Sequence, residues 1–368
     1  MKITVLKKDL VQILSRTQNI VEKRNAMPVL VNVLLQAENK KLTVFATDLE
    51  VSLKDSCAAE ISQEGRVAVN ARNLFDITRE LSEGPINLIK KENNWLEIKQ
   101  GKYTSKLVGI SAEEYPVFPV YENGNFLKLK SEALREMIEK TIYSVSNDET
   151  RYHLNGVYFE QKDDNAYSMV ATDGHRLSLI VKESENPIKL PSGGVIIPRK
   201  GLNEIKKLVD AEDGSIHLAV DGSQLILKNE DTVLMVRLIE GKYPNYQQFI
   251  PQKFTEKLTI NREAFLSSLK RVSLLANYKS KAVTLSIVKG KMEIASNNPE
   301  LGDAKEELEI EYSGKDLKIG FNAKYITDVL TVIQDEEVDF EINDQLSPGL
   351  VRPHNDKNYT CVVMPMRI

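Results

Sequence analysis

The side chains best suited to chemistry do not assemble into a catalytic set in this sequence. Four histidines, His153, His175, His217 and His354, stand apart, and no two share the spacing that puts a pair of imidazoles around a metal. The two cysteines, Cys57 and Cys361, form no spaced ligand motif, and free thiols are expected. Ser313-Gly-Lys315 lacks the upstream glycine and the following hydroxyl residue of a phosphate-cradling loop, and no G-x-S-x-G elbow occurs. Asp173 and His175 are an acid and a base close in the chain, with no nucleophile assigned beside them. The expectation is a protein that is not an enzyme and uses no metal and no cofactor.

What remains is charge. Lysine and arginine recur on segments with helical periodicity, and Arg72, Lys200 and Lys324 fall at matching places in them. Cations so arranged hold phosphates without reading bases, because a phosphate contact carries no sequence information. The formal net charge of −4 speaks against an ordinary, strongly basic DNA-binding domain. It leaves room for one basic face on an acidic chain.

The elements that must position these residues come from an internal repeat. Ile3-Thr-Val leads into Lys7 to Leu14, Leu127-Lys-Leu into Ser131 to Ile142, and Leu258-Thr-Ile into Arg262 to Val272, each a strand followed by a helix. Ala46-Thr47-Asp48, Ala171-Thr172-Asp173 and Ala295-Ser296-Asn297 each end an alternating strand. Val69 to Phe75, Ile197 to Asn203 and Phe321 to Thr327 are a second strand-to-helix passage. These landmarks recur in constant order at a spacing of roughly 125 residues, too long for a solenoid, so they mark three domains of one fold. Lys41–Ala46, Asn94–Lys99, Ser215–Val220 and Val338–Ile342 alternate as half-buried strands, and Asn123-Gly124, Asp221-Gly222 and Ser313-Gly314 punctuate the chain as turns. The class is α+β: two helices per domain on antiparallel sheets. The expected boundaries give domains at 1–122, 123–253 and 254–368.

The helices should each bury one stripe. In the first, Leu10, Ile13, Leu14 and Thr17 face inward while Lys7, Lys8 and Arg16 stay wet. In the second, Leu74, Ile77 and Leu81 face inward. A chain of 368 residues, 42% hydrophobic and 28% charged, suits a soluble globular protein of two or three cores. Its longest apolar stretch, Met27 to Leu35, is broken by Pro28 and Asn32 and is too short to span a bilayer. The opening residues alternate like a strand, so no signal peptide is expected and the cytoplasm is the expected place.

Ala171-Thr-Asp-Gly-His-Arg-Leu177, Ile197-Pro-Arg-Lys-Gly201, Arg151-Tyr-His-Leu-Asn-Gly156, Asn297-Asn-Pro-Glu300 and the terminal Val362-Val-Met-Pro-Met-Arg-Ile368 resemble the bacterial sliding clamps, the β subunits of DNA polymerase III. The resemblance runs through the whole chain in family order. It implies three DNA-clamp domains per chain and a head-to-tail homodimer closed into a six-domain ring, with helices lining the hole and sheets outside. A head-to-tail contact either closes or grows into a filament, and paired sheet edges at the interface would be hidden from aggregation. The implied role is to encircle double-stranded DNA without sequence preference, slide, and tether the catalytic subunit of the replicative polymerase. Expected DNA contacts are Arg24, Arg72, Arg79, Arg151, Arg199, Lys200, Lys206 and Arg237. The resemblance further implies a peptide pocket between the second and third domains, carried over onto Leu154, Thr172, Gly174, His175, Arg176, Leu177, Pro244, Val362, Met364, Pro365, Met366 and Arg367. Apolar and methionine side chains suit an adaptable cleft for a short peptide, and Arg176 and Arg367 would hold its polar groups. The clamp loader, other polymerases, mismatch-repair proteins and ligase would compete for this pocket through short motifs. Gln248, Phe249 and His153 depart from the family pattern.

Overall fold

Six α-helices occur among the described residues: α1 (Lys7–Thr17), α2 (Ala71–Glu80), α3 (Ser131–Glu139), α4 (Arg199–Asp210), α5 (Arg262–Val272) and α6 (Ala323–Val332). Two fall in each copy of the repeat, each directly after a strand. The junctions explain why. Asn70, Asn261 and Asn322 end their strands and accept a hydrogen bond from the N–H of Asn73, Ala264 and Lys324, so three of the helices are started by an asparagine cap. The structure is a computed structural model and describes residues 1–21, 27–121, 126–163, 165–184, 190, 193–211 and 214–367.

The first helix buries Leu10, Ile13, Leu14 and Thr17, as the periodicity predicts. It runs on to Thr17, and Arg16 is not wet. Its guanidinium turns inward and donates to Asp55 Oδ2 at 3.3 Å and Thr232 Oγ1 at 3.2 Å. Asp55 is buried, which pushes its carboxyl above the ordinary range, and Arg16 opposes that shift. Lys7 is likewise drawn to Glu83 at 3.2 Å. On α2 the buried positions are Ala71, Leu74 and Thr78, with Leu81 buried just beyond, while Ile77 is half-buried. The third helix stops at Glu139 rather than reaching Ile142. The Thr141 hydroxyl bonds back to the Met137 carbonyl at 2.7 Å, and the chain tightens into a 3-10 turn over Ile142–Ser144.

Three sequence copies condense into two compact units. The first comprises Met1–Glu132 with Lys200–Leu238, and the second comprises Ala133–Arg199 with the chain from Ile239 onward. The first unit contains a five-stranded sheet ordered Glu60–Gln63, Lys2–Leu6, Pro85–Lys90, Leu96–Gln100, Tyr103–Leu107. Its nine-stranded sheet runs from Gly109–Ile110 through Gly65–Asn70, Asn32–Glu38, Lys41–Thr47 and Val51–Ala58 to Val233–Arg237, Gln224–Lys228, Ser215–Asp221 and Leu127–Lys130. The second unit contains an eight-stranded sheet ordered Val195–Pro198, Gly156–Gln161, Ala166–Thr172, Arg176–Glu183, Tyr359–Val363, Gly349–Pro353, Glu337–Ile342, Glu256–Asn261. A four-stranded sheet, Gly302–Glu309, Lys291–Asn298, Ala282–Val288 and Leu317–Asn322, completes it.

The seams are ladders. In the first unit Val51–Ala58 pairs antiparallel with Val233–Arg237, and in the second Arg176–Glu183 pairs antiparallel with Tyr359–Val363. Each ladder joins strands from neighbouring copies of the repeat. This is why the middle copy is divided between the two units. The first expected boundary falls within residues 122–125, outside the described set, and the second lies between a 3-10 turn at Tyr246–Phe249 and the strand Glu256–Asn261.

Candidate functional site

The second unit's seam carries the residues expected to dock a peptide. The turn between Ala166–Thr172 and Arg176–Glu183 is closed by its own side chains. Asp173 Oδ1 accepts the N–H of His175 at 2.9 Å and of Arg176 at 3.0 Å. Thr172 Oγ1 accepts the N–H of Gly174 at 3.0 Å and donates to the Arg176 carbonyl at 2.6 Å. Gly174 sits at φ +89°, and a Cβ there would lie 2.8 Å from an Arg151 guanidinium nitrogen. Only glycine meets both demands without strain.

The C-terminal tail is laid against this turn. After the strand Tyr359–Val363, the Met364 N–H donates to the His175 carbonyl at 2.9 Å and the Met366 N–H to the Gly320 carbonyl at 2.8 Å. Met364 is exposed, Pro365 and Met366 are half-buried, and Arg367 is exposed. Leu154, Leu177 and Val362, the last from the strand that leads into the tail, belong to one buried cluster. The structure thus brings together most of the expected pocket: an apolar floor, a rigid polar turn and a methionine-bearing strand.

Other members of that cluster were not anticipated: Val170, Ile196, Tyr243 and Tyr246, with Tyr158 packed against them. Tyr158 and Tyr243 stack with centroids 4.9 Å apart and planes 4° from parallel. Burial holds the Tyr243 phenol above its ordinary range. Tyr246 donates to Glu160 Oε1 at 2.5 Å and receives the Lys162 ammonium. A signal for the two tyrosines existed in the sequence. Tyr243-Pro244-Asn-Tyr246 matches Tyr115-Pro116-Val-Phe118 one repeat earlier, with half-buried Pro244 between its aromatics.

Arg176, expected to hold polar groups of a peptide, is 8% exposed and engaged by the protein itself. Nε donates to Asp173 Oδ2 at 3.1 Å, Nη1 to Asp328 Oδ2 at 2.6 Å, and Nη2 to the Tyr143 carbonyl. The guanidinium also lies over the rings of Tyr325 at 4.6 Å and Tyr143 at 5.3 Å. It is a tie that fixes the turn. Among the charged or titratable members, His175 and Arg367 present exposed side chains, with the His175 ring near-parallel to Tyr325 at 6.5 Å. Phe249 is exposed, as is Gln248, and His153 packs edge-on to Tyr152 at 5.7 Å.

The basic candidates divide by how they are held. Arg72 is exposed in the first turn of α2 with Asp76 at 3.8 Å, and Lys324 is exposed in the first turn of α6 with Asp328 at 2.9 Å. Such exposed pairs are weak and readily exchanged for a phosphate, which the free N–H groups of a helix start also favour. Arg79 lies over Phe75 at 5.6 Å, and it lines an open pocket of about 540 Å³ with Arg72, Asn70 and Asn73. Lys200, in the first turn of α4, holds Asp48 Oδ2 at 2.6 Å, and Lys206 lies 3.9 Å from Asp210. Arg151 pairs with Asp148 at 2.9 Å, and Arg237 is exposed. Arg199 is held inward by the Val145 carbonyl at 2.5 Å, and burial with Arg176 nearby lowers its pKa. It is the poorest phosphate ligand of the set. Arg24 lies outside the described residues. No group of three or more metal-ligating side chains occurs among the described residues, and no described helix is long and apolar enough to cross a membrane.

Comparison with known proteins accounts for the whole chain. Models of the DNA polymerase III beta subunit match its N-terminal domain at residues 1–119, its central domain at 128–245 and its C-terminal domain at 247–367. Beta sliding clamps from Caulobacter vibrioides and Pseudomonas aeruginosa are each 32% identical to it, with 100% of both chains covered. The crystal structure of DNA polymerase III subunit beta from Pseudomonas aeruginosa superposes with a TM-score of 0.96 at 31% identity, covering 100% of each chain. The sliding clamp of Bartonella birtlesii bound to griselimycin does so with a TM-score of 0.95 at 34% identity, again over 100% of each chain.

Proposed function

Since this chain belongs to the DNA polymerase III beta subunit family and is a non-catalytic processivity clamp of DNA replication, we propose that two copies close head to tail around duplex DNA and dock partners at the seam of the second unit. The domain limits 1–122, 123–253 and 254–368 remain our division of the chain.

The observation that carries the docking reading is the turn Thr172–Leu177 held rigid above the Leu154, Leu177, Val362 cluster, with Met364 and Met366 beside it. A short peptide entering here would bury one or two apolar anchors on a floor already formed, so little is lost to ordering. The griselimycin-bound Bartonella relative supports a ligand site of this kind, and griselimycin is the natural probe for it. The polymerase catalytic subunit, clamp loader, other polymerases, mismatch-repair proteins and ligase are the partners proposed to compete there.

Closure rests on complementary edges. Tyr103–Leu107 is the free edge of the five-stranded sheet; it carries Lys106 and is preceded by Lys102. Gly302–Glu309 is the free edge of the four-stranded sheet and carries Asp303, Glu306, Glu307 and Glu309. Paired between copies, a basic edge meets an acidic one and both are hidden. Leu274 and Tyr278, 77% and 84% exposed, would be covered near the same contact. Inside the ring Arg72, Arg79, Arg151, Lys200, Lys206, Arg237 and Lys324 would face phosphates. Non-specific contact of this kind is weak, typically ~10⁻⁴–10⁻⁶ M, so retention must come from encirclement. A clamp acting on DNA would work in the cytoplasm.

The test is retention on circular DNA. The protein is placed on nicked plasmid with a bacterial clamp loader and ATP and washed at high salt, and half the sample is then linearised. Protein that stays on circles and leaves linear DNA is held topologically. Loss from both forms, while a known clamp stays on circles in parallel, would remove encirclement.

A further inference from the structure

Asp328 is bound from two sides. It lies one turn after Lys324 on α6, and the Lys324 ammonium is 2.9 Å from each of its carboxylate oxygens. Arg176 donates to the same carboxylate at 2.6 Å. The two cations serve different surfaces. Arg176 is buried between Tyr143 and Tyr325 and ties down the turn at the rim of the docking pocket. Lys324 is the exposed cation at the start of α6, counterpart of Arg72 and Lys200.

The matching seam in the first unit supports the pattern. There Lys200, the counterpart of Lys324, reaches the seam turn directly and holds Asp48, the counterpart of Asp173, at 2.6 Å. In both units the cation at the helix start is hitched to the seam turn. In the second unit the hitch runs through Asp328 and Arg176.

From this sharing we infer that Asp328 couples the phosphate-facing surface to the docking pocket. When a duplex phosphate takes Lys324, the Asp328 carboxylate is left to Arg176 alone. The attraction between a carboxylate and its remaining cation grows when a competing cation leaves, and more so in a partly buried pair. Arg176 then holds the Thr172–Leu177 turn more firmly, and a peptide meets a better ordered pocket. The change biases two states of one contact, Lys324 on Asp328 or Lys324 on phosphate, as coupling requires. Linkage makes it reciprocal: a ligand in the pocket must tighten duplex by the same factor. The inference rests on the proposed docking pocket and on Lys324 facing DNA.

The test measures griselimycin binding by calorimetry on the full chain, at low salt, with and without a saturating short blunt duplex. For the wild type, duplex is expected to tighten griselimycin about five-fold, the lower end of usual coupling. Lys324→Gln, an exposed change, is expected to bind griselimycin without duplex as tightly as the duplex-bound wild type does, and to gain nothing from duplex. A merely structural role for Lys324 predicts no such gain. Asp328→Asn, its fold checked by thermal melting, is expected to bind more weakly and to ignore duplex. Undiminished coupling in Lys324→Gln would overturn the inference, as would a wild type that binds both ligands independently. A wild type that binds griselimycin or duplex not at all would overturn the docking or encirclement reading itself, and this inference with it.

Discussion

Arg237 and Met364 hold the same place in two copies of one joint. The Arg237 N–H donates to the Glu50 carbonyl at 2.8 Å, and the Met364 N–H to the His175 carbonyl at 2.9 Å. The turns they grip agree bond for bond. Asp48 Oδ1 accepts the N–H of Glu50 and Val51 as Asp173 Oδ1 accepts those of His175 and Arg176. Leu49 sits at φ +76° where Gly174 sits at +89°. One backbone joint therefore appears twice with different side chains: methionines over an apolar floor in the second unit, an arginine beside a lysine-bound aspartate in the first.

The left-handed residue of each turn should respond oppositely to substitution. Gly174→Ala places a Cβ against Arg151 and a side chain in left-handed backbone, which costs about 1–2 kcal/mol. Griselimycin should weaken ten-fold or more with it. Leu49→Gly relieves the same backbone strain at a half-exposed site and should leave stability unchanged or raise it by up to about 1 kcal/mol. Urea melts of both variants check this, and a Leu49→Gly variant losing stability like a core truncation would contradict it.

Stability should fall on the acid side partly through Asp339. Burial raises its carboxyl, but hydrogen bonds from His354 at 2.8 Å, Lys257 and Thr259 outweigh it and hold the pKa below the ordinary range. A carboxylate depressed in the folded state adds stability that is present above its unfolded value, about 3.9, and is lost as pH falls through the folded value. Asp339→Asn should therefore be less stable than wild type at neutral pH, and the gap should narrow below about pH 4. A gap constant from neutral pH to strong acid would show that the carboxylate charge is not the cause.

Closure should depend on apolar residues that one chain leaves uncovered. Leu274→Asp is expected to shift the protein toward monomer in sedimentation velocity with unchanged circular dichroism, because the site is 77% exposed in the single chain. Phe249→Ser, exposed in the second unit, should leave the dimer intact. A dimer undisturbed by Leu274→Asp would move the interface elsewhere.

Phosphate contact should appear in the salt dependence of duplex binding. Each cation engaged with phosphate contributes about one unit to the slope of log affinity against log salt. Arg72→Gln, Lys200→Gln and Lys324→Gln together should lower that slope by about three units, with equal effect on unrelated sequences. Arg199→Gln should change it little, its guanidinium being engaged with the Val145 carbonyl. A slope unmoved by the triple change would remove these helix starts from the DNA surface.

Local pattern made much of the fold legible. Helix α5 runs from Arg262 to Val272 as the periodicity predicts, because a capping asparagine stands directly before it and a buried stripe runs along it. α1 runs on to Thr17 and α3 stops at Glu139, each with a threonine hydroxyl bonded back to a carbonyl near its end, a detail that hydrophobic period does not carry. Leu154, Leu177 and Val362 could be placed together through the resemblance. The tie from Arg176 to Asp328 could not, because that carboxylate is distant in the chain and on another copy of the repeat. The division of the middle copy between two units was hidden for the same reason. A repeat marks what is similar, and the seam ladders record what pairs.

Those ladders also set an order of events during synthesis. The strand Val51–Ala58 cannot complete its far edge until Val233–Arg237 has been made. At roughly 5–20 residues per second, that partner trails by about ten seconds or more. During that interval the nascent chain presents an open strand edge, the kind that recruits other chains. Arg176–Glu183 waits similarly for Tyr359–Val363. A chain whose synthesis halts before that strand is left with its second seam unclosed.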